Sequence, residues 1–254
     1  MLFRSGILLR EDHVLCKENG SLIRLLYRQR FVTFALPRLL DGHKAANAIG
    51  SGVEADQSSV QRNLHLVAIC ALLPSLPRAT LMDRLADLFP LLILALDVHE
   101  DGVVQASASH VITLAAALGK RQRDEAILEG KAATALGRTP KLSAGAVMEK
   151  NSLDLVCDHI NSILQRLLII VVGKEGEPAS KAHETTKIAA LRSLATIARC
   201  VPYSTLLRHR TVVLRSLGQR GRGIDDAKRN VRLDAVDTRD AWYRLKGEED
   251  EEEE

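Results

Sequence analysis

The stretch TKIAALRSLATI, residues 186–197, fixes the reading of this chain. Ile188, Leu191, Leu194 and Ala195 recur at helical spacing and fall on one side of an α-helix. A second apolar helical stretch, 152–172, precedes it, and the polar connector GKEGEPASKAH (173–183) separates the two. The same unit, two apolar helical stretches joined by a polar turn, occurs four times, its second stretch opening at Val60, Val104, Thr186 and Val231. These openings are 44, 82 and 45 residues apart, and 82 is about two periods. A helical hairpin of this kind cannot cover its own apolar face, so neighbouring hairpins must stack to close a core.

A period in the low forties built from two helices is the signature of HEAT or armadillo repeats. The expected architecture is therefore an all-α solenoid, with helix pairs at about 22–76, 80–118, 152–200 and 204–245. In the first pair, Leu22, Leu25, Leu26, Phe31, Phe34, Ala35, Leu36 and Leu39 form the stripe of one helix, which Pro37 kinks or restarts. Residues 41–59 read as a loop, and Leu64, Val67, Ala68, Ala71 and Leu72 form the face of the partner helix. In the second pair, Val104, Ala108, Val111, Ile112 and Ala115 form the inner stripe. Residues 119–150, with charge runs, scattered Gly and Pro140, read as a partly disordered insertion containing a short helix near 124–136. Asp225 or Asp226 reads as the N-cap of the last helix, whose outer side is polar because nothing stacks on it.

Composition agrees with this reading. Hydrophobic residues make up 46% and aromatics only 3%, too few aromatics for a typical β-protein. The four cysteines, Cys16, Cys70, Cys157 and Cys200, are far apart and read as reduced structural thiols of a cytosolic or nuclear protein. No signal peptide opens the chain, and its longest apolar run, 85–96, is well short of a bilayer span. The net charge is +3, but the segment EEDEEEE (248–254) holds seven acidic residues, leaving +10 on the remainder. That segment reads as a disordered, solvated tail, and it also has the charge to screen a basic surface of its own chain.

Two stretches carry a resemblance beyond the generic repeat. IRLLYRQRFVTFALPRLLDGHKAA (23–46) and IDDAKRNVRLDAVDTRDAWYRL (224–245) are similar to the C-terminal repeats of one family. LFPLLILALDVHEDGVVQASASHVITL (88–114) also fits. The family is the methyl-methanesulfonate-sensitivity "nineteen" family, large HEAT-repeat proteins of the cytosolic iron–sulfur targeting complex, also described as DNA repair and transcription proteins. The more specific marks are Tyr27-Arg28-Gln29-Arg30-Phe31 and the ending Arg239…Trp242. The resemblance covers most of 22–118 and 184–245 but not the 119–150 insertion. It implies that this chain is the C-terminal quarter of a much longer protein, with further repeats N-terminal to it. It also implies a non-enzymatic adaptor that docks a β-propeller protein and a small acidic assembly factor. Clusters would pass to apoproteins such as DNA helicases and polymerases, in the nucleus and the cytoplasm.

The residues themselves point to binding and away from catalysis. The eight histidines are scattered, and Cys157 and His159, two apart on a helix, point to different faces. No catalytic group, cofactor site or metal site is assigned. GQRGRG (218–223) is basic and glycine-rich but lacks the lysine and hydroxyl residue of a phosphate loop. The candidate binding surface is the basic stretch Arg208, Arg210, Arg215, Arg220, Arg222, Lys228, Arg229 and Arg232, with Arg239 and Trp242 beyond it. Acidic partners and phosphates are both compatible with it, as is an ordinary solvated face with internal Asp–Arg ladders. Arg232 is expected to bond to turn aspartates. Trp242, the only tryptophan, reads as the plug of the last helix ahead of an interface anchor. Two alternatives to the adaptor share the fold: direct nucleic-acid binding, resting on the +10 body, and a transport or phosphatase scaffold.

Overall fold

The computed structural model describes residues 25–48, 55–73, 81, 84–98, 101–135, 151–174 and 178–245. Among them are nine α-helices and no strand. They are α1 (Leu25–Ala48), α2 (Ala55–Leu72), α3 (Leu85–Ala95), α4 (Gly102–Ala135), α5 (Ser152–Asp158), α6 (Ile160–Val172), α7 (Glu184–Cys200), α8 (Tyr203–Leu217) and α9 (Arg229–Tyr243). A single 3₁₀ turn, Gly223–Asp225, lies between α8 and α9. The all-α expectation holds. The readings placed on 1–24, 136–150 and 246–254, including the tail, lie outside the described residues.

The chain divides into two compact units, 1–111 and 112–254. In the first, α2 packs against both α1 and α3. Its core gathers Leu66, Ile69, Leu73, Leu85, Leu88, Phe89 and Leu92, each at most 3% exposed. The turn into α4 is fixed by Asp101, whose carboxylate accepts the Val103 N–H at 2.9 Å, and by Gln105, which donates to the Leu96 carbonyl at 2.9 Å. The inner stripe Val104, Ala108, Val111, Ile112 and Ala115 is buried throughout.

Two sequence expectations fail in this half. α1 runs on through Asp41 to Ala48, and α2 starts at Ala55, so most of 41–59 is helical. Pro37 sits inside α1. The stripes are also rotated: Phe34 is 58% exposed under the Arg38 guanidinium, and Leu64 is 61% exposed, while Leu66 and Ile69 turn inward. Small and apolar residues are so frequent in α2 that several faces fit the period equally well. Gly42 lies against the His65 ring, and a Cβ there would come within 2.5–3.2 Å of it and force the ring to shift.

The second unit shows how the repeats stack. α6 and α7 form one antiparallel pair, and α8 and α9 the next. α8 lies beside α6 and α9 beside α7, giving two layers of like helices, as in HEAT-type repeats. The bonds between α7 and α9 carry the repeat period. Asn230 donates to Glu184, Arg192 to Asp234, Thr238 to the Leu191 carbonyl and Trp242 Nε1 to the Leu194 carbonyl. The partners are 42–48 residues apart in the chain, which matches the 45-residue spacing of the two openings. Thr113 of α4 and Ser193 of α7 share a hydrogen bond at 2.6 Å across 80 residues, close to the doubled spacing.

Two corrections belong to this unit. α4 does not stop at Leu118: it is a continuous 34-residue helix to Ala135, so the start of the presumed insertion is helical. Gly119 is there for close packing. A Cβ on it would run into the Leu153 backbone nitrogen and the Ser152 hydroxyl. Asn151 and Ser152 instead bond to the Gly119 and Ala115 carbonyls at 3.0 and 2.9 Å. Residues 152–172 are two helices, α5 and α6, bent by 75° at His159. Within α4, residues 102–128 are long and apolar enough to cross a bilayer by length and composition, but half of the qualifying window is buried in the protein, as in a core helix.

Candidate interaction surface

The basic residues of 208–239 divide into those that hold the last repeat together and those that face solvent. Arg210, on α8, reaches the C-terminus of α9 and donates to the Trp242 and Tyr243 carbonyls at 3.2 and 2.8 Å. It satisfies acceptors that the helix end leaves open, at the negative end of the helix dipole. Arg232 donates to the carbonyls of Asp226 and Ala227 at 2.7 and 3.1 Å. It therefore bonds the turn through its backbone, and the expected aspartate carboxylate contact is not what holds it. Arg239 is half-buried, donates to the Tyr243 hydroxyl at 3.2 Å, and has a buried Nε with no hydrogen-bond partner. Trp242 is fully buried as the plug between α7 and α9.

The carboxylate of the turn is taken by a residue that sequence reasoning missed. Lys187 of α7 pairs with Asp226 at 2.8 Å, the two side chains being 9% and 7% exposed. Burial by itself pushes the Asp226 carboxyl up. The Lys187 hydrogen bond, the Lys228 amide and the charges of Lys187 and Arg232 outweigh it and hold the group below its ordinary value. Asp226 is not the N-cap of α9, which is Lys228; it accepts the Lys228 amide at 2.9 Å and shapes the turn leading in. A signal was present: Lys187 lies between Thr186 and the buried Ala190 and Leu191, a lone charge inside an apolar face.

Arg208, Arg215, Arg220, Lys228 and Arg229 are exposed and make no ion pair among the described residues. Arg208 donates to His209 Nε2 at 3.0 Å, and burial, then the Arg208 charge, lower the His209 pKa. Arg215 borders a groove of about 810 Å³ between α6 and α8, while Lys228 borders a smaller cleft of about 440 Å³ beside the Lys187–Asp226 pair. The groove floor is apolar (Leu164, Leu168, Val172, Val213), and Lys174, Arg215 and Arg222 stand on its rim. Among the described residues, no acidic one lines it. Lys174 carries no such signal, since it lies in a connector far from the basic stretch.

Nothing among the described residues forms a group of three or more His, Cys, Asp or Glu able to hold a metal ion. Burial pushes the Cys70 thiol up to about 12, with a further push from Asp101, and raises Cys157 and Cys200 as well. Such thiols are poor nucleophiles near neutral pH.

A family model described as RNAPII transcription regulator C-terminal matches residues 4–134, slightly more than half of the chain. The matched span runs through most of α4. The chain is 24% identical over 241 residues to the MMS19 nucleotide excision repair protein homolog of Dictyostelium discoideum, covering 94% of this chain and 17% of that protein. It is 28% identical over 232 residues to the homolog of the same name in Xenopus laevis, covering 91% and 17%. It is 23% identical over 239 residues to the DNA repair/transcription protein mms19 of Schizosaccharomyces pombe, covering 94% and 18%. The chain thus spans about one sixth of the length of these relatives, less than the expected quarter.

Proposed function

Because this chain belongs to the RNAPII transcription regulator C-terminal family, we propose that it is a protein-docking module serving DNA repair and transcription. Its work is non-catalytic: it holds partners side by side. The finer reading is an adaptor of the cytosolic iron–sulfur assembly targeting complex, acting in nucleus and cytoplasm. It would bind a β-propeller protein and a small acidic assembly factor, and would serve apoprotein clients such as DNA helicases and polymerases.

The observation that carries this reading is the family match joined to the make-up of the second unit. Two stacked hairpins, cross-linked by bonds at the repeat period, present an apolar groove with a cationic rim. Such a surface favours an acidic protein partner: apolar contact supplies affinity and charge supplies steering. A pull-down of this chain with the family's propeller and small acidic partners tests it. Both are retained at low salt, and Arg215→Glu weakens the acidic factor. Retention of neither would overturn the proposal.

Direct nucleic-acid binding has one observation in its favour, the exposed Arg208, Arg220, Lys228 and Arg229. If those four meet phosphates, duplex affinity falls with salt at a log–log slope of about −0.9 per contact. A slope near zero removes that reading.

A further inference from the structure

We propose that the outer face of α9 is a self-association surface, on which a second copy of this chain lays its own α9 antiparallel across a two-fold axis. The inference concerns this chain alone and stands whether or not the adaptor role does.

Three observations lead to it. The first is an apolar stripe on the side of α9 that the sequence reading made polar. Val231, Ala235, Thr238 and Trp242 bury one side of the helix in its repeat. Leu233, Val236 and Tyr243 project from the other side, each more than half exposed. With Arg229 and Asp240 they occupy positions 229, 233, 236, 240 and 243. These alternating steps of four and three are the seam spacing along which two helices pack lengthwise. Residues 246–254, KGEEDEEEE, carry no apolar side chain and cannot supply apolar contact to the stripe.

The second is the symmetry of the stripe. A two-fold contact must be self-complementary, so that if one residue meets a second, the second also meets the first. An axis midway between residues 234 and 235 satisfies this. Leu233 then faces Val236 of the other copy, and Arg229 faces Asp240, each contact occurring twice. Asp237, also exposed, adds a second carboxylate at the acidic end. A parallel alignment would set Arg229 against its own copy and Asp240 against its own, and like charges so placed oppose association. The charges therefore fix the direction and the register, and the apolar stripe supplies the contact.

The third is the availability of those charges. Arg229 and Asp237 make no ion pair among the described residues. Asp240 pairs with Arg244 at 3.0 Å, and both side chains are more than half exposed. A pair that solvated is weakly held, which leaves the carboxylate open to a second cation. One helix face from each copy makes a small interface, so the association is weak and appears at high concentration.

The test is sedimentation equilibrium of the full chain from about 5 µM to about 1 mM, the range in which so small an interface associates. The native chain forms dimers. Val236→Glu weakens them at least tenfold, because it puts a carboxylate against Leu233. Arg229→Glu and Asp240→Arg each weaken them at least fivefold, because each sets like charges face to face at both ends of the contact. Mixed one to one, these two variants associate to within threefold of the native chain, since each supplies the charge that the other lacks. The double variant Arg229→Glu/Asp240→Arg also recovers, which a parallel pair would not allow. Arg215→Glu, on the groove between α6 and α8, leaves the dimer within twofold, so failure of this contact and failure of partner docking at that groove are distinguishable. Circular dichroism confirms that the variants are folded. A native chain still monomeric at about 1 mM, a Val236→Glu chain that associates like the native one, or charge variants that recover neither on mixing nor in the double variant would each overturn the proposal. The first outcome would leave the stripe to a different protein.

Discussion

Cutting the Lys187–Asp226 pair should loosen the last repeat by an amount that the structure sets. The pair is short, at 2.8 Å, and both side chains are nearly inaccessible. Removing one partner of such a pair costs about 3–5 kcal/mol, because the other charge is left buried. Lys187→Met belongs at the low end, about 3 kcal/mol, since Asp226 keeps the Lys228 amide and the Arg232 charge. Asp226→Asn costs a similar amount, because the ammonium is then the orphan. The double variant strands no charge, so its cost should resemble one single change and not the sum, a coupling of about 2 kcal/mol or more. Urea unfolding followed by the fluorescence of Trp242, the only tryptophan, reads this unit specifically. With a slope of about 2 kcal/mol per molar, each single variant lowers the midpoint by about 1.5 M. The pH dependence has a definite sign. The native carboxyl sits below its ordinary value, so the native state binds fewer protons than the unfolded chain just below pH 4. The advantage of wild type over Lys187→Met is therefore constant from pH 7 to about 5. It shrinks below about pH 4, as Asp226 is protonated in the folded state. Midpoints within 0.3 M of wild type, or strictly additive costs in the double variant, would refute the reasoning.

Three further outcomes follow from the packing. Gly119→Ala should destabilise by about 1–3 kcal/mol despite the better helix propensity of alanine, because its Cβ meets Leu153 and Ser152; a thermal melt showing stabilisation would contradict this. Trp242→Phe should cost about 2 kcal/mol and Trp242→Ala about 4, from the lost bond to the Leu194 carbonyl and the cavity left behind, as read by circular dichroism in urea. Cys70, with its thiol pushed up to about 12, should resist iodoacetamide at pH 8 in the native chain and react once the protein is unfolded in urea, as mapped by mass spectrometry.

The repeat was legible because its signal is redundant. The period is written into four openings, and the inner stripe from Val104 to Ala115 was placed correctly, although polarity alone did not mark it: Gln105 and Ser109 are buried beside it and Val103 is exposed. The phase of α2 was not legible, because Leu64, Leu66, Val67, Ala68 and Ile69 offer apolar faces all round. Gly119 misled for a different reason. A glycine that ends a helix and one that admits a neighbouring backbone look identical in sequence, and only the approach of Leu153 tells them apart. The end of α1 hid behind the same ambiguity, with Gly42 making room for His65.

The basic stretch shows what charge counting cannot resolve. Arg210, Arg215 and Arg232 have the same side chain within 23 residues. Arg210 closes the end of α9, Arg232 ties the turn before it, and only Arg215 faces a groove. The difference lies in which backbone carbonyls are within reach, and that is a property of the stacked repeat and not of the segment. A guanidinium that meets two open carbonyls is fixed there, with its charge spent on the fold; one on the outer wall of a helix keeps its charge for whatever approaches. The same logic applies to the carboxylates. Asp226 and Asp234 are paired with Lys187 and Arg192 of the preceding repeat, so their charge too is spent on the fold. Stacking therefore decides which charges stay exposed: it takes up Asp226 and Asp234 and leaves Lys174 and Arg215 open to solvent.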